Sequence, residues 1–219
     1  MSEAIGLRER KKRDRRRLIE DVAIELFERQ GFDATTIEQI AAAADIAPRT
    51  FFSYFDTKDD VVLADYADRL GRILHELDQR PTDEPVWSAL RGAFAAVASD
   101  YATEADRIAR RFGIMAATPS VQARSLQLQA GWEHTLTAHL ATRLAAAGSD
   151  PAPRLFAATA VAVMRASLQH WLTAPQAVEL PTLVQDAFDR LGAGLAPTLS
   201  GSLRERGAAR PGSTRAPRR

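Results

Sequence analysis

Apolar residues recur at helical spacing over almost the whole chain. Leu18, Ile19, Val22, Ala23, Leu26 and Phe27 form one stripe, with Gly31 just beyond as a C′ residue, which predicts a helix over 14–30. Thr35 or Thr36 can cap the next run, and Thr35 with Glu38 has capping-box spacing, so a second helix follows over 37–44. The turn Asp45-Ile46-Ala47 leads to Pro48 at a first-turn position and to a short third helix carrying Arg49 to Tyr54. Asp56 or Thr57 caps a long fourth helix to about Arg80, along which Val62, Tyr66, Leu70, Leu74 and Leu77 step by four and three. Residues 81–85 read as a linker. Beyond it the periodicity marks helices over 85–101, 104–117, 120–147, 153–173 and 181–195, with Pro- and Gly-containing breaks between the later ones. Alternating β-branched runs are missing, so the expected fold class is all-α.

Composition narrows the function classes. With 219 residues, 46% hydrophobic and 26% charged, the chain is too apolar to be disordered throughout. No run approaches the roughly 18 apolar residues a membrane span needs, and the N-terminus is charged from Arg8 without an apolar signal core. A soluble cytoplasmic protein is expected. The absence of cysteine excludes disulfides, thiolate zinc sites and a Cys nucleophile.

The formal net charge of +1 hides a segregation. Residues 1–17 hold eight Arg or Lys against three acids, and 201–219 hold six Arg against Glu205 alone. Basic ends on an acidic body suit a polyanion such as nucleic acid, or are solvated tails. The expected organisation is a flexible basic arm at 1–13, a helix-turn-helix DNA-binding domain at 14–60, a helical domain at 61–196 and a disordered basic tail at 197–219.

No catalytic or phosphate-binding motif is present. His134 and His139 are five apart and do not share a helix face. Neither an enzyme nor a bound cofactor or metal is expected. Two short helices joined by a tight turn and packed on an earlier amphipathic helix describe a helix-turn-helix unit, whose second helix enters the major groove. Its leading residues here are Ala47, Pro48, Arg49, Thr50 and Phe52. Arg49 suits a bidentate contact to guanine, while Ala47 and Phe52 suit a thymine methyl. Thr36, Tyr54 and Lys58 are placed for phosphates. Phe51 and Phe55 read as core. Over 18–60 only Arg29, Arg49 and Lys58 oppose ten acids, so much of the affinity for DNA is expected from the basic arm.

The run from Thr35-Thr36-Ile37 through Ile40 to Asp45-Ile46-Ala47-Pro48-Arg49-Thr50-Phe51-Phe52-Ser53-Tyr54-Phe55-Asp56-Thr57-Lys58, with Arg29-Gln30-Gly31-Phe32 before it, resembles the DNA-binding signature of TetR-family repressors. Asp45 stands where that family usually has Gly, and Phe52 where Tyr is common. The resemblance implies a homodimer that binds an operator in double-stranded DNA and is released by a small-molecule effector. It places DNA contacts at Thr36, Arg49, Phe52, Tyr54 and Lys58. The segments Arg49 to Phe55, Asp60 to Leu63 and Arg80 to Pro85 also resemble regulators of the mycofactocin-regulator type, whose reported effectors are acyl-CoA thioesters.

Trp87, Phe94, Phe112, Met115, Trp132, Met164 and Trp171, with Leu128 and Phe156, are candidates either for an apolar effector pocket or for ordinary core. Arg110 and Arg111 read as a solvated helix face. Val184, Phe188, Leu191 and Leu195 form a stripe suited to a bundle interface, and the resemblance assigns the dimer contact to the last two helices. The competing functions are a constitutive DNA-binding protein without effector and a helical lipid- or acyl-binding protein with a vestigial helix-turn-helix.

Overall fold

The computed structural model describes residues 2–145, 148–173 and 178–194, with side chains from Arg10 onward. Among the described residues every regular element is a helix: α1 (Ser2–Gln30), α2 (Ile37–Ala43), α3 (Pro48–Phe51), α4 (Lys58–Val62), α5 (Tyr66–Asp78), α6 (Val86–Thr103), α7 (Ala105–Ala117), α8 (Pro119–Arg143), α9 (Ala152–Thr173) and α10 (Leu180–Gly192). The basic tail expected at 197–219, and Leu195 with it, lies outside the described residues.

Two apolar cores organise these helices. The head core joins Ile19, Ala23 and Phe27 of α1 to Ile40, Phe51, Phe55 and Val61, and takes in Ile114 of α7 and Val121 of α8. The body core is built from α5, α6, α8, α9 and α10 around Ile73, Leu90, Phe94, Leu136, Leu140 and Phe188, each fully buried. The head core runs through Ala64, so the packing boundary lies beyond the residue 60 expected from the pattern.

Two expectations are corrected, and the backbone of 2–13, within the expected basic arm, is the first part of α1. Its Arg, Lys, Glu and Ala residues are good helix formers and continue a helix already anchored at Ile19. The long fourth helix is instead two, interrupted over 63–65. Val62 and Leu63 turn into the head core while Ile73 and Leu77 turn into the body core, and one straight helix does not serve both directions. The capping box of α2 uses Thr36 and Gln39, not Thr35 and Glu38. The Thr35 hydroxyl donates to Gly31 O at 2.8 Å instead.

Val184 and Phe188 are also reassigned. Both are 0% exposed within one chain, and Phe188 packs on Trp87 and Phe94 of α6 at ring separations of 4.6 and 5.9 Å. They are core, and an interface on α9 and α10 must use the opposite faces.

Candidate nucleic-acid interface and ligand cavity

The head presents α3 by strictly local means. Asp45 adopts φ 53°, the left-handed conformation its place in the turn requires. The following N–H, Ile46 N, donates to Ala41 O at 2.9 Å and ends α2. Ala47 is the N-cap of α3 and Pro48 its first residue. Phe51 is fully buried against Phe55, with ring centroids 5.7 Å apart, and this fixes which side of α3 faces out. Ala47, Pro48, Arg49 and Phe52 are exposed, Phe52 by 54%, and Thr50 and Tyr54 are half-buried. Arg49 makes no ion pair among the described residues, which leaves its guanidinium fork free.

Thr36 is exposed at the start of α2. Its hydroxyl oxygen accepts from Gln39 N at 3.2 Å, and its O–H serves the exposed carboxylate of Glu38, whose pKa is lowered by its backbone hydrogen bond and by this one. Lys58 has partners within the head. Its ammonium donates to Phe32 O at 2.7 Å and Thr35 O at 3.2 Å, and lies 4.3 Å from the Phe32 ring centroid. Two of its three donors therefore tie α4 to the α1–α2 turn, and the third is left for another acceptor.

Arg111, expected on a solvated face, is 4% exposed. It donates to Glu20 of α1 at 2.7 Å and lies 3.1 Å from the Asp65 carboxylate in the α4–α5 break. Glu20, also 4% exposed, pairs as well with Arg16 and with Arg107 of α7. Asp65 and Glu104 share Arg69 of α5, whose guanidinium lies 3.7 Å from the Tyr101 ring centroid. Charged residues thus form the junction between head and body. A signal for this existed in the sequence: Glu20 and Arg111 each interrupt an apolar stripe, beside Ile19 and Ala23 in α1 and between Ile108 and Ile114 in α7. A second head–body link is exposed, with Arg110 meeting Glu28 at 2.6–3.0 Å and holding that carboxyl below its ordinary range.

A cavity of about 580 Å³ lies in the body among α5, α6, α7, α8 and α9. Phe112, Met115, Trp132 and Met164 line it as expected. Trp87, Phe94 and Trp171 do not. Trp87 packs between Phe156 and Phe188 with its indole N–H on Phe188 O at 3.0 Å, and Phe94 and Trp171 are 0% and 3% exposed in the body core. Leu128 lines a separate groove beside α3 and α4. The pattern did not reveal the polar part of the cavity: Tyr66, Tyr101, Ser125, Gln129 and Arg165. Ser125, Gln129 and Trp132 share one face of α8 by their spacing of four and three, but nothing in the sequence pairs that face with Tyr66 and Tyr101. Burial raises the pKa of both phenols, so each stays protonated at neutral pH.

Among the described residues, no helix is long and apolar enough to cross a membrane, and no group of His, Asp or Glu is arranged to hold a metal ion. A short-helix head that exposes α3, joined to a helical body with a largely apolar cavity open to one side, is the arrangement of a helix-turn-helix DNA-binding protein that can also take a small ligand.

Comparison with known proteins agrees. Residues 19–64 match the family model of bacterial regulatory proteins of the tetR family, and residues 84–196 match the MftR C-terminal domain. The mycofactocin biosynthesis transcriptional regulator MftR of Mycobacterium tuberculosis is 34% identical over 177 residues, 81% of this chain and 89% of that protein. A TetR-family regulator structure from Syntrophomonas wolfei superposes with a TM-score of 0.61 at 16% identity, covering 84% of this chain and 97% of the other. FadR of Thermus thermophilus, solved with lauroyl-CoA, does so with a TM-score of 0.52 at 22% identity, covering 92% and 100%. The chain belongs to the TetR family of transcriptional regulators, with a C-terminal domain of the MftR type.

Proposed function

We propose that the protein is a dimeric, cytoplasmic repressor that holds a two-fold operator through its α3 helices and releases it when an apolar effector fills the body cavity. The observation that carries this reading is the position of Tyr66. It lines the cavity and also packs against the head core, immediately after the α4–α5 break. A ligand that moves α5 therefore strains α4, which is fastened to the reading head through Val61, Val62 and Lys58. The acyl-CoA thioesters implied by the mycofactocin-regulator resemblance are the first effectors to test, and the lauroyl-CoA complex of a relative with the same fold supports that choice. The base-reading set is Arg49 with Ala47, Pro48, Thr50 and Phe52, and Thr36 and Tyr54 face phosphates.

For the dimer, the available faces are those left open by intrachain packing. On α9 these carry Leu155, 66% exposed, with Ala158, Ala162 and Ala166 at successive turns, and on α10 the half-buried Leu183, Ala187 and Leu191 border them at the edge of the body core. The small side chains of the alanines allow two copies to approach closely.

The test measures binding of the protein to DNA from upstream of its own gene, by fluorescence anisotropy, with dodecanoyl-CoA titrated in. Dodecanoyl-CoA is expected to weaken DNA binding, and DNA to weaken dodecanoyl-CoA binding by the same factor. DNA binding that no acyl-CoA alters would favour a constitutive DNA-binding protein. Acyl-CoA binding without any DNA affinity at physiological salt would favour the lipid-binding alternative.

A further inference from the structure

Tyr101 differs from Tyr66, Ser125 and Gln129, the other polar groups that are not fully exposed around the cavity. The Tyr66 hydroxyl is engaged by the side chains of Gln129 and Ser125. The Ser125 hydroxyl donates to Gln122 O at 2.8 Å, and Gln129 Oε1 accepts from Arg165 at 3.2 Å. Tyr101 is only 7% exposed and lines the cavity, and its hydroxyl has no hydrogen-bond partner among the described residues. A phenol O–H that opens on a cavity and has no protein partner is available to whatever fills that cavity.

The surroundings of Tyr101 also decide which kind of partner fits. Burial keeps the phenol neutral, so it keeps a proton to donate. The Arg69 guanidinium over its ring face, 3.7 Å from the centroid, draws electron density from the ring. That makes the O–H a stronger donor and the oxygen a weaker acceptor. Arg69 is itself fixed by Glu104 at 3.1 Å, so the ring, the cation and the hydroxyl are set before any ligand arrives. Around them the wall is apolar, with Phe112, Trp132, Met164 and Leu168.

We propose that Tyr101 is the residue by which the cavity recognises its effector, donating a hydrogen bond to a carbonyl oxygen (ketone, ester or thioester) carried inside an otherwise apolar ligand. This rests on the reading of the cavity as the effector site. The acceptor lies within the ligand rather than at a solvated end, because Tyr101 is buried. A purely hydrocarbon molecule of the same shape fills the space and leaves the hydroxyl unpaired.

The experiment compares decan-2-one with 2-methyldec-1-ene, in which a methylene group replaces the carbonyl oxygen. Binding is followed by quenching of tryptophan fluorescence, since Trp132 lines the cavity. The wild-type protein should bind the ketone about 3- to 10-fold more tightly, the worth of one net hydrogen bond. Tyr101→Phe should abolish that preference while leaving the affinity for the alkene within about twofold on the same principle, because only an unpaired oxygen is removed. Ser125→Ala, which changes a hydroxyl already engaged within α8, should keep the preference. Equal affinities in the wild-type protein, or a ketone preference that survives Tyr101→Phe, would overturn the assignment to Tyr101 and leave the cavity as the effector site. Binding of neither probe would overturn both.

Discussion

The head and the body are both helical, but they are held together on different length scales. In the head, helices of seven, four and five residues are too short to persist alone. Their ends are set by contacts a few residues away: Thr36 with Gln39, the left-handed Asp45, Pro48 at the start of α3, and Thr57 with Asp60. In the body, α6, α8 and α9 run for 18, 25 and 22 residues, and their decisive contacts span the chain. The Trp87 indole bonds Phe188 O, and Arg91 makes a two-point contact with Asp189 at 2.8 Å. A surface built from local chemistry keeps its shape when the body rearranges, whereas a cavity walled by five helices can change volume by small shifts of each. A reading head needs the first property and a ligand sensor the second.

Between them lies a junction of a third kind, built from charge, and breaking it should have the largest effect. Arg111→Met leaves Glu20, at 4% exposure, with one fewer partner and Asp65 without its α7 contact. Removing one member of a buried ion pair typically costs ~3–5 kcal/mol. The variant should show a lower urea midpoint, with the head lost before the body. Glu20→Leu added to Arg111→Met should recover a large part of the loss, because an apolar pair replaces an uncompensated buried carboxylate. Arg16 and Arg107 also serve Glu20, so recovery will be incomplete. A single variant as stable as the wild type would show that the junction is solvated and that the apolar contacts of Ile114 and Val121, with the remaining ion pairs, suffice to join head and body.

This contrast explains what was legible in the sequence. Helical turns and caps are short-range events, so the α2–turn–α3 unit, its exposed residues and the left-handed Asp45 follow from a window of about a dozen residues. The long body helices also follow from periodicity, within a few residues at their ends. Periodicity does not say which stripe meets which. Val184 and Phe188 therefore look as suited to a second copy as to α6, and Trp87, Phe94 and Trp171 look as suited to a cavity as to a core. The α4–α5 break was illegible for a related reason: the pattern steps smoothly through it, but its two halves serve different cores. Lys58 shows the same limit within the head, because its role depends on two carbonyls more than twenty residues earlier.

Lys58 offers the next test, because a structural lysine and a phosphate-binding lysine respond differently to salt. Lys58→Met removes two charge-assisted bonds to Phe32 O and Thr35 O. It should lower stability by about 1–3 kcal/mol, the range for hydrogen bonds to charged groups. DNA affinity should fall with it, yet the slope of log K against log salt should stay unchanged. A lost phosphate contact would instead make that slope shallower by about 0.9 per head with little change in stability. Arg49→Ala provides the contrast within the same head. It should leave stability intact, cost roughly 1–3 kcal/mol in operator binding and relax sequence preference at one position of each half-site.

The smallest effects should come from the two positions where head and body each hold a non-glycine residue at positive φ. Asp45 has φ 53° in the recognition turn, and Ala145 has φ 46° after the end of α8. A left-handed residue costs about 1–2 kcal/mol for an ordinary side chain and less for Asp, whose short polar group can bond its own backbone. Glycine removes that cost but adds freedom to the unfolded chain, which opposes the gain by roughly 0.5–1 kcal/mol. For Ala145→Gly the relief should exceed the entropic loss, giving a gain of up to ~1 kcal/mol and a rise in Tm of about 2–4 °C for a chain of this size. For Asp45→Gly the two terms should nearly cancel, leaving Tm within about 1 °C. Thermal melting of the two variants beside the wild type measures both shifts. A larger gain at Asp45 than at Ala145 would mean that the aspartate is strained in the turn, and that the head stores energy which the body does not.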